Sequence, residues 1–134
     1  MKKPSLSSWK RKTQEVFNQY IRLRDCLETT GTPDYGVCIT CGKNVQNKEA
    51  DAGHFISVRY SITRFDERNV FLQCVYCNRW LHGALDAYFV ALEKKFGREV
   101  VDELIASKSR IKKWTIPELQ ELYKTYTEKY NSLT

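Results

Sequence analysis

The first thirty positions show the hydrophobic pattern of an amphipathic helix. Apolar side chains recur near helical spacing and predict a helix over 7–28, which Ser7 or Ser8 can cap. The stripe consists of Val16, Phe17, Tyr20, Ile21, Leu23 and Leu27. Residues 29–36, which include two glycines and a proline, break this pattern and predict a loop.

Shorter apolar runs and further helical stretches follow. Residues 50–57 and 70–73 predict two strands, while 78–96, 98–107 and 116–131 predict helices. Gly97 predicts the end of the first of these helices, and Pro117 fits the first turn of the last. We therefore expect an α+β fold in which a small hairpin and a helix are wrapped by other helices, with Trp80 and Trp114 in the core.

Four of the five cysteines form two Cys-x-x-Cys pairs. Their spacing predicts a closed structural zinc site with four thiolate ligands, Cys38, Cys41, Cys74 and Cys77. Such a site has no open coordination position, so any chemistry has to come from other residues. Cys26 falls on the first predicted helix, where we expect a small buried apolar side chain.

Polar residues cluster around the second cysteine pair. His54 and His82 are the only histidines, and Asn78 directly follows Cys77. Asn78 and His82 are four residues apart, so a helix would place both on one face, within reach of one Mg²⁺ or Mn²⁺ ion. His54, from the facing strand, would then act as general base. The alternatives are a structural His54, a surface His82, and Asn78 as a helix N-cap.

The chain carries a net charge of +6, all of it in the first 24 residues. That segment has seven basic residues against Glu15 alone, whereas the remaining 15 basic and 15 acidic residues cancel. A basic arm on a neutral body favours a polyanion such as DNA, although a solvated helix face has the same composition. The candidate phosphate contacts are Lys10, Arg11, Lys12, Arg59, Arg64 and Arg79.

The order Cys-x-x-Cys, Gly-His, Asn, Cys-x-x-Cys-Asn resembles the zinc-stapled form of the HNH, or ββα-metal, nuclease motif (also called a His-Me finger). The chain is more closely similar to the NinG/Rap recombination proteins of lambda-like phages, over roughly residues 15–105. The segments that carry this resemblance are 51–55, 64–69 and 73–88.

The resemblance implies a nuclease that cuts branched DNA. His54 would be the general base, Asn69 would hold the loop that orients it, and Asn78 and His82 would bind the catalytic ion. Many HNH nucleases have a metal-binding Asp or His immediately before the base, where this chain has Gly53. Asp51, two residues earlier on the same strand face, is the candidate replacement.

These features define the expected function and its alternatives. We expect a Holliday-junction or D-loop resolvase-like endonuclease, with a homodimer as one way to coordinate two cuts. The alternatives are a non-specific or sequence-specific HNH nicking nuclease and a non-catalytic zinc-stapled DNA-binding protein. No apolar run suits a membrane span or signal peptide. Together with this, the resemblance implies a phage- or prophage-encoded protein in the bacterial cytoplasm.

The predicted organisation is one compact domain in three parts. These are a basic N-terminal helix and loop (1–36), a zinc-stapled core (37–97) and C-terminal helices (98–134).

Overall fold

The computed structural model describes residues 3–134, which form four helices and two small antiparallel sheets. The helices are α1 (Leu6–Thr30), α2 (Leu85–Phe96), α3 (Arg98–Ala106) and α4 (Ile116–Ser132). The strands are β1 (Tyr35–Val37), β2 (Asn44–Gln46), β3 (Asp51–His54) and β4 (Val70–Gln73). This mixture of helices and small sheets confirms the predicted α+β class.

The helices end close to where the sequence predicts. Gly97, with φ of 91°, ends α2, and Pro117 lies in the first turn of α4 behind a capping box formed by Thr115 and Glu118. α1 starts one residue before the predicted position, and the prediction that Ser7 or Ser8 caps it is wrong. Ser5 is the cap, because its hydroxyl accepts a hydrogen bond from the Ser8 backbone amide.

The strand predictions are correct for β4 and too long for β3. The β3–β4 hairpin pairs Asp51 with Gln73 and His54 with Val70, and the chain leaves the ladder after His54. Neither strand of the smaller sheet, in which Tyr35 pairs with Gln46, is foreseen from the sequence. Strands of three residues are too short to show a period of two.

The hairpin is held against α1 along the outer edge of β4. The Asp25 carboxylate accepts a hydrogen bond from the Leu72 backbone amide at 2.8 Å, and the Arg24 guanidinium donates to the Val70 carbonyl at 2.9 Å. The Ile39 amide donates to the Leu72 carbonyl at 2.9 Å. Side chains of a helix and one loop amide thus satisfy backbone groups that a third strand would otherwise pair.

The main core joins elements from all three predicted parts of the chain. Phe17 and Ile21 of α1 pack with Val70 of β4 and with Leu119 and Tyr126 of α4. A second cluster fixes α2 and α3 on the hairpin through Phe71, Tyr88 and Leu104, among others. The part boundaries at 36 and 97 stay predictions. No helix within residues 3–134 has both the length and the apolar character that crossing a membrane requires.

Candidate functional site

The four predicted zinc ligands meet at one point. The Sγ atoms of Cys38, Cys41, Cys74 and Cys77 all lie within 4.8 Å of one another. Cys41 Sγ and Cys74 Sγ are 3.8 Å apart, and the edge of a zinc–thiolate tetrahedron with Zn–S bonds of about 2.3 Å is also about 3.8 Å. The cluster therefore fits a structural zinc ion held by four thiolates.

The thiol pKa values show why this cluster suits a cation. Burial opposes ionisation of Cys38, but hydrogen bonds from the Thr40 hydroxyl and neighbouring backbone amides lower its pKa to about 6. Burial raises the pKa of Cys77 to about 12, and the neighbouring Cys38 thiolate adds to that increase. One thiolate thus disfavours ionisation of the neighbouring thiols, and a divalent cation at the centre of the cluster offsets this charge repulsion. Cys26 is fully buried on α1, as expected, and burial raises its pKa to about 11.

The predicted helix over 78–96 is wrong in its first part. Residues Tyr76–Trp80 form a single π-helical turn, and His82, Gly83 and Ala84 follow with φ of 53°, 96° and 48°, so α2 begins only at Leu85. Three consecutive left-handed residues cannot continue an α-helix. The Gly83 amide donates to the Cys77 carbonyl at 2.9 Å, which ties this turn to the cysteine cluster. Asn78 and His82 therefore do not share an α-helical face, and Asn78 is not the N-cap of α2.

The turn nevertheless brings the predicted polar residues together. His54, Asn78 and His82 line one cleft of about 380 Å³, beside Ser57, Tyr60 and Lys108. His54 enters from the end of β3, and the other two predicted residues enter from the left-handed turn. A wider cleft of about 650 Å³, lined in part by Arg22, Asp34 and Tyr35, contains no histidine or cysteine. Acid–base or metal chemistry is therefore better suited to the smaller cleft.

The His54 ring is oriented by a backbone carbonyl. Its Nε2 lies 2.9 Å from the Arg64 carbonyl oxygen, which can only accept a hydrogen bond. The neutral ring must therefore carry its proton on Nε2, which leaves the Nδ1 lone pair as proton acceptor. Burial lowers the pKa of His54 below 6.5, although the Arg64 and Ala52 carbonyls oppose this change. The imidazole is thus kept neutral at physiological pH, with Nδ1 able to accept a proton.

Asn69 is fully buried behind the loop that follows His54. Its Oδ1 accepts a hydrogen bond from the Ile56 amide at 2.7 Å, and its Nδ2 donates to the carbonyls of Ile56 and Thr63 at 3.0 and 3.2 Å. All three partners are backbone groups of residues 56–63, the segment that leads to Arg64. Asn69 therefore holds the loop whose carbonyl orients His54, and its part in catalysis stays a prediction.

Asp51 contacts Asn78 but does not line the cleft. Its carboxylate accepts a hydrogen bond from Asn78 Nδ2 at 2.8 Å and a bidentate pair from Arg79, both at 2.9 Å. Because the Asn78 nitrogen is used in this way, the Oδ1 atom of Asn78 is the one left for an ion. These contacts give Asp51 the position of a residue that orients Asn78, and direct metal binding by Asp51 stays a prediction.

Space explains why position 53 is a glycine. A Cβ atom there would lie 1.8 Å from Gln73 Oε1 and 3.1 Å from Asn78 Oδ1. Gln73 is fully buried, and its Nε2 donates to Thr40 Oγ1 at 3.1 Å and to the Gly83 carbonyl at 2.8 Å. This carboxamide links the first cysteine loop to the turn that carries His82. Its Oε1 has no hydrogen-bond partner within residues 3–134.

The predicted phosphate-contacting residues have different surroundings. Arg79 is paired with Asp51, Arg64 donates to Gln14 of α1 at 2.7 Å, and Lys12 lies 4.4 Å from the Trp9 ring centroid. Arg11 and Arg59 are exposed, and Lys10 is half-buried. None of the six lines the cleft, and their contact with phosphates stays a prediction.

Two residues at the site were missed by sequence reasoning. Lys108 lines the cleft with its Nζ 5.4 Å from the Tyr60 ring centroid. Gln73 does not line the cleft, but it donates a hydrogen bond to the carbonyl of Gly83, which does. Lys108 follows α3, more than fifty positions from His54, so local pattern gives no signal for it. Gln73 could have been noticed as a polar residue in an otherwise apolar strand.

Comparison with known proteins identifies relatives of the whole chain. Residues 1–134 match the family described as Bacteriophage Lambda NinG protein. The chain is 35% identical to the protein ninG of Escherichia phage 933W over 95% of its own length and 59% of the relative's. It is 35% identical to that of Escherichia phage lambda (95% and 58%) and 34% identical to that of Salmonella phage P22 (95% and 58%).

The chain spans about three fifths of the length of the curated relatives it matches. No solved structure matches it. The family matches the chain over residues 1–134, and the relatives are about 35% identical to it. This chain therefore belongs to the NinG family of bacteriophage proteins.

Proposed function

We propose that this chain is a metal-dependent DNA endonuclease that hydrolyses phosphodiesters in branched recombination intermediates. The observation that carries the proposal is the cleft in which a neutral, carbonyl-oriented His54 lies with Asn78 and His82. The preference for branched DNA comes from the resemblance to recombination proteins. In this proposal β3, β4, the turn and α2 are the ββα-metal motif, and the cysteine cluster staples it.

His54 is the general base in this mechanism. Nε2–H stays bound to the Arg64 carbonyl, and Nδ1 takes a proton from the attacking water. The charge that develops on the ring is stabilised by the same carbonyl. The held geometry of residues 56–63, through Asn69, keeps that carbonyl in place.

Asn78 and His82 are the proposed ligands of the catalytic ion. Asp51 fixes the Asn78 amide so that its oxygen is presented, and the left-handed turn brings the His82 imidazole to the same cleft. Two protein ligands suit Mg²⁺ or Mn²⁺, which keep several waters. A bound ion would neutralise charge on the scissile phosphate and on the leaving 3′ oxygen.

The cysteine cluster has a structural role in the proposal. Four thiolates leave no position for substrate, and the nearby backbone depends on the cluster for its shape. The proposed partner is DNA, with a homodimer as one way to make two cuts. The proposed setting is the cytoplasm of a phage-infected or lysogenic bacterium.

The test is cleavage of a labelled four-way junction and of a matched linear duplex, with Mg²⁺ or Mn²⁺, by the wild type and by His54→Ala. We expect cutting of the junction that His54→Ala lowers by two to four orders of magnitude, with DNA affinity and zinc content retained. Ser57→Ala, which changes another residue of the cleft, is the matched control and should cut at nearly the wild-type rate.

Other outcomes separate the alternatives. Equal cutting of both DNAs would favour a non-specific nicking nuclease. Binding without cutting in either metal would favour a zinc-stapled DNA-binding protein, and in that case the His54→Ala protein would bind as the wild type does.

A further inference from the structure

Trp80 is exposed at the surface, between Asn78 and His82 in the chain, both of which line the cleft. Its exposed fraction is 75%, whereas Trp9 and Trp114 are partly buried against the main core. The expectation that Trp80 belongs to the core is therefore wrong. Burial of a large aromatic side chain contributes several kcal/mol to stability. An indole left in water gives up that contribution, and exposed apolar groups of this size mark interaction surfaces.

Trp80 belongs to a segment that exposes several large hydrophobic side chains. Within residues 76–85, four large hydrophobic side chains are about half exposed or more, namely Tyr76 (59%), Trp80 (75%), Leu81 (47%) and Leu85 (49%). Leu85 lines the cleft, and Asn78 and His82 of the same segment line it too. We call this set of four side chains the aromatic rim. Leu85 is the member of the aromatic rim that lines the cleft with His54, and Trp80 lies in sequence between Asn78 and His82, which also line it.

The backbone under the aromatic rim is held firmly. Cys74 and Cys77 belong to the thiolate cluster, and the Asn78 amide donates to the Cys74 carbonyl at 3.0 Å. The Leu81 amide donates to the Tyr76 carbonyl at 2.9 Å and closes the π-helical turn. Little conformational entropy is lost when a partner binds to a surface already fixed in this way.

We propose that Trp80 is a stacking platform for an unpaired base beside the scissile phosphodiester. In an intact duplex every base face is covered by its neighbour, and only the edges are accessible in the grooves. An indole can therefore stack on a base only at a branch, a gap or a strand end, and such stacking is sequence-tolerant. Trp80 would thus recognise DNA structure and not DNA sequence. This inference rests on the proposed nuclease function, for which it names a residue that recognises unpaired bases.

Charge favours a nucleic-acid occupant of the aromatic rim over an apolar protein partner. The Arg79 charge is offset by Asp51, but Lys108 lines the cleft together with Leu85, and no carboxylate of the described residues lines it. A polyanion is attracted to this surface, while a second copy of the chain would bring the same positive charge. Self-association through the aromatic rim is the competing outcome of the test.

The test measures binding without cleavage, in Ca²⁺ and without Mg²⁺ or Mn²⁺. The probes are a relaxed, covalently closed minicircle of duplex DNA, which has no strand ends, and the same minicircle interrupted by a single-stranded gap. Subtracting the fluorescence of Trp80→Phe from that of the wild type isolates the Trp80 signal. We expect the gapped DNA to quench that signal and the intact duplex to leave it nearly unchanged.

Affinities of two variants sharpen this test. Trp80→Ala should bind gapped DNA about tenfold more weakly and the duplex within twofold of the wild type, and Trp80→Phe should recover part of the loss. Ile111→Ala is the matched control, because Ile111 is 85% exposed but lies outside the aromatic rim. Its affinities for both probes should equal those of the wild type.

Three results would overturn the proposal. The first is an equal loss of affinity of Trp80→Ala for both probes, and the second is no quenching of Trp80 fluorescence by gapped DNA. The third is quenching that increases with protein concentration in the absence of DNA, which would assign the aromatic rim to a dimer interface. This test measures binding, and the test of the proposed function measures cleavage, so the two can fail separately. A protein that binds gapped DNA through Trp80 but does not cut would contradict the nuclease function alone. An active nuclease without the Trp80 effect would contradict this inference alone.

Discussion

The four-cysteine cluster and the polar cleft share one segment of chain, residues 74–83, but are specified in different ways. The cluster is made by side chains, which carry their metal preference wherever the fold brings them together. The cleft depends on backbone groups, because the Arg64 carbonyl orients His54 and the Gly83 carbonyl binds Gln73. A closed site of side-chain ligands can form even where the backbone is irregular. The cleft requires the irregular backbone, because the π-helical and left-handed turns bring Asn78 and His82 to it.

The largest expected effect is on the cluster. Cys77→Ser replaces a buried thiolate ligand, so the bound zinc should be lost and the free energy of unfolding should fall by on the order of 5 kcal/mol. Metal analysis together with thermal unfolding checks this. Cys26→Ala is the control, since Cys26 is buried but outside the cluster. It should lose some stability and keep its zinc, and zinc retained in Cys77→Ser would contradict the assignment of the ligands.

The next effect concerns the support beneath the cleft. Gly53→Ala places a Cβ 1.8 Å from Gln73 Oε1, so the buried carboxamide must shift, at a cost of about 2 kcal/mol in denaturant unfolding. The double variant Gly53→Ala/Gln73→Ala should be more stable than the sum of the two single changes predicts, by about 1 kcal/mol. Simple additivity would show that the two positions do not compete for space.

A pH titration distinguishes the cleft from the cluster. Burial lowers the pKa of His54 in the folded chain below 6.5, so the unfolded chain takes up the proton first as pH falls. Stability should therefore decrease as pH falls from 6.5 toward the folded-state pKa, and His54→Gln should reduce that decrease. The acidic limb of any cleavage rate should likewise lie below pH 6.5. A wild type and a His54→Gln variant with the same pH dependence of stability would contradict the shift.

The smallest effect on stability is expected at the edge of the cleft. Asp51→Asn weakens the pair with exposed Arg79, and the free energy of unfolding should change by less than about 1 kcal/mol. Mn²⁺ affinity should fall about tenfold, because Asn78 loses the charged group that orients it. Titration of Mn²⁺ by its paramagnetic resonance signal measures this, and an unchanged affinity would argue that Asp51 does not orient Asn78.

How much the sequence predicts follows the same division. The four helices are predicted by the helical spacing of apolar residues, and the cluster by the spacing of the cysteines. Both signals depend on residue types that are close together in the sequence. His54, Asn78 and His82 are brought to one cleft as expected, but by a left-handed turn and not by a helix. Trp80 was misplaced because apolar character predicts burial only on average.

The contacts of Arg24 and Asp25 with β4 have a consequence for how the chain can be divided. These two side chains cover backbone groups of Val70 and Leu72 on the outer edge of the hairpin. A fragment without α1 would expose that edge, and an uncovered strand edge is a template for pairing with other molecules. Helix α1 thus also protects the edge of β4 from aggregation. A minimal fragment that contains the cleft therefore needs α1 to stay soluble.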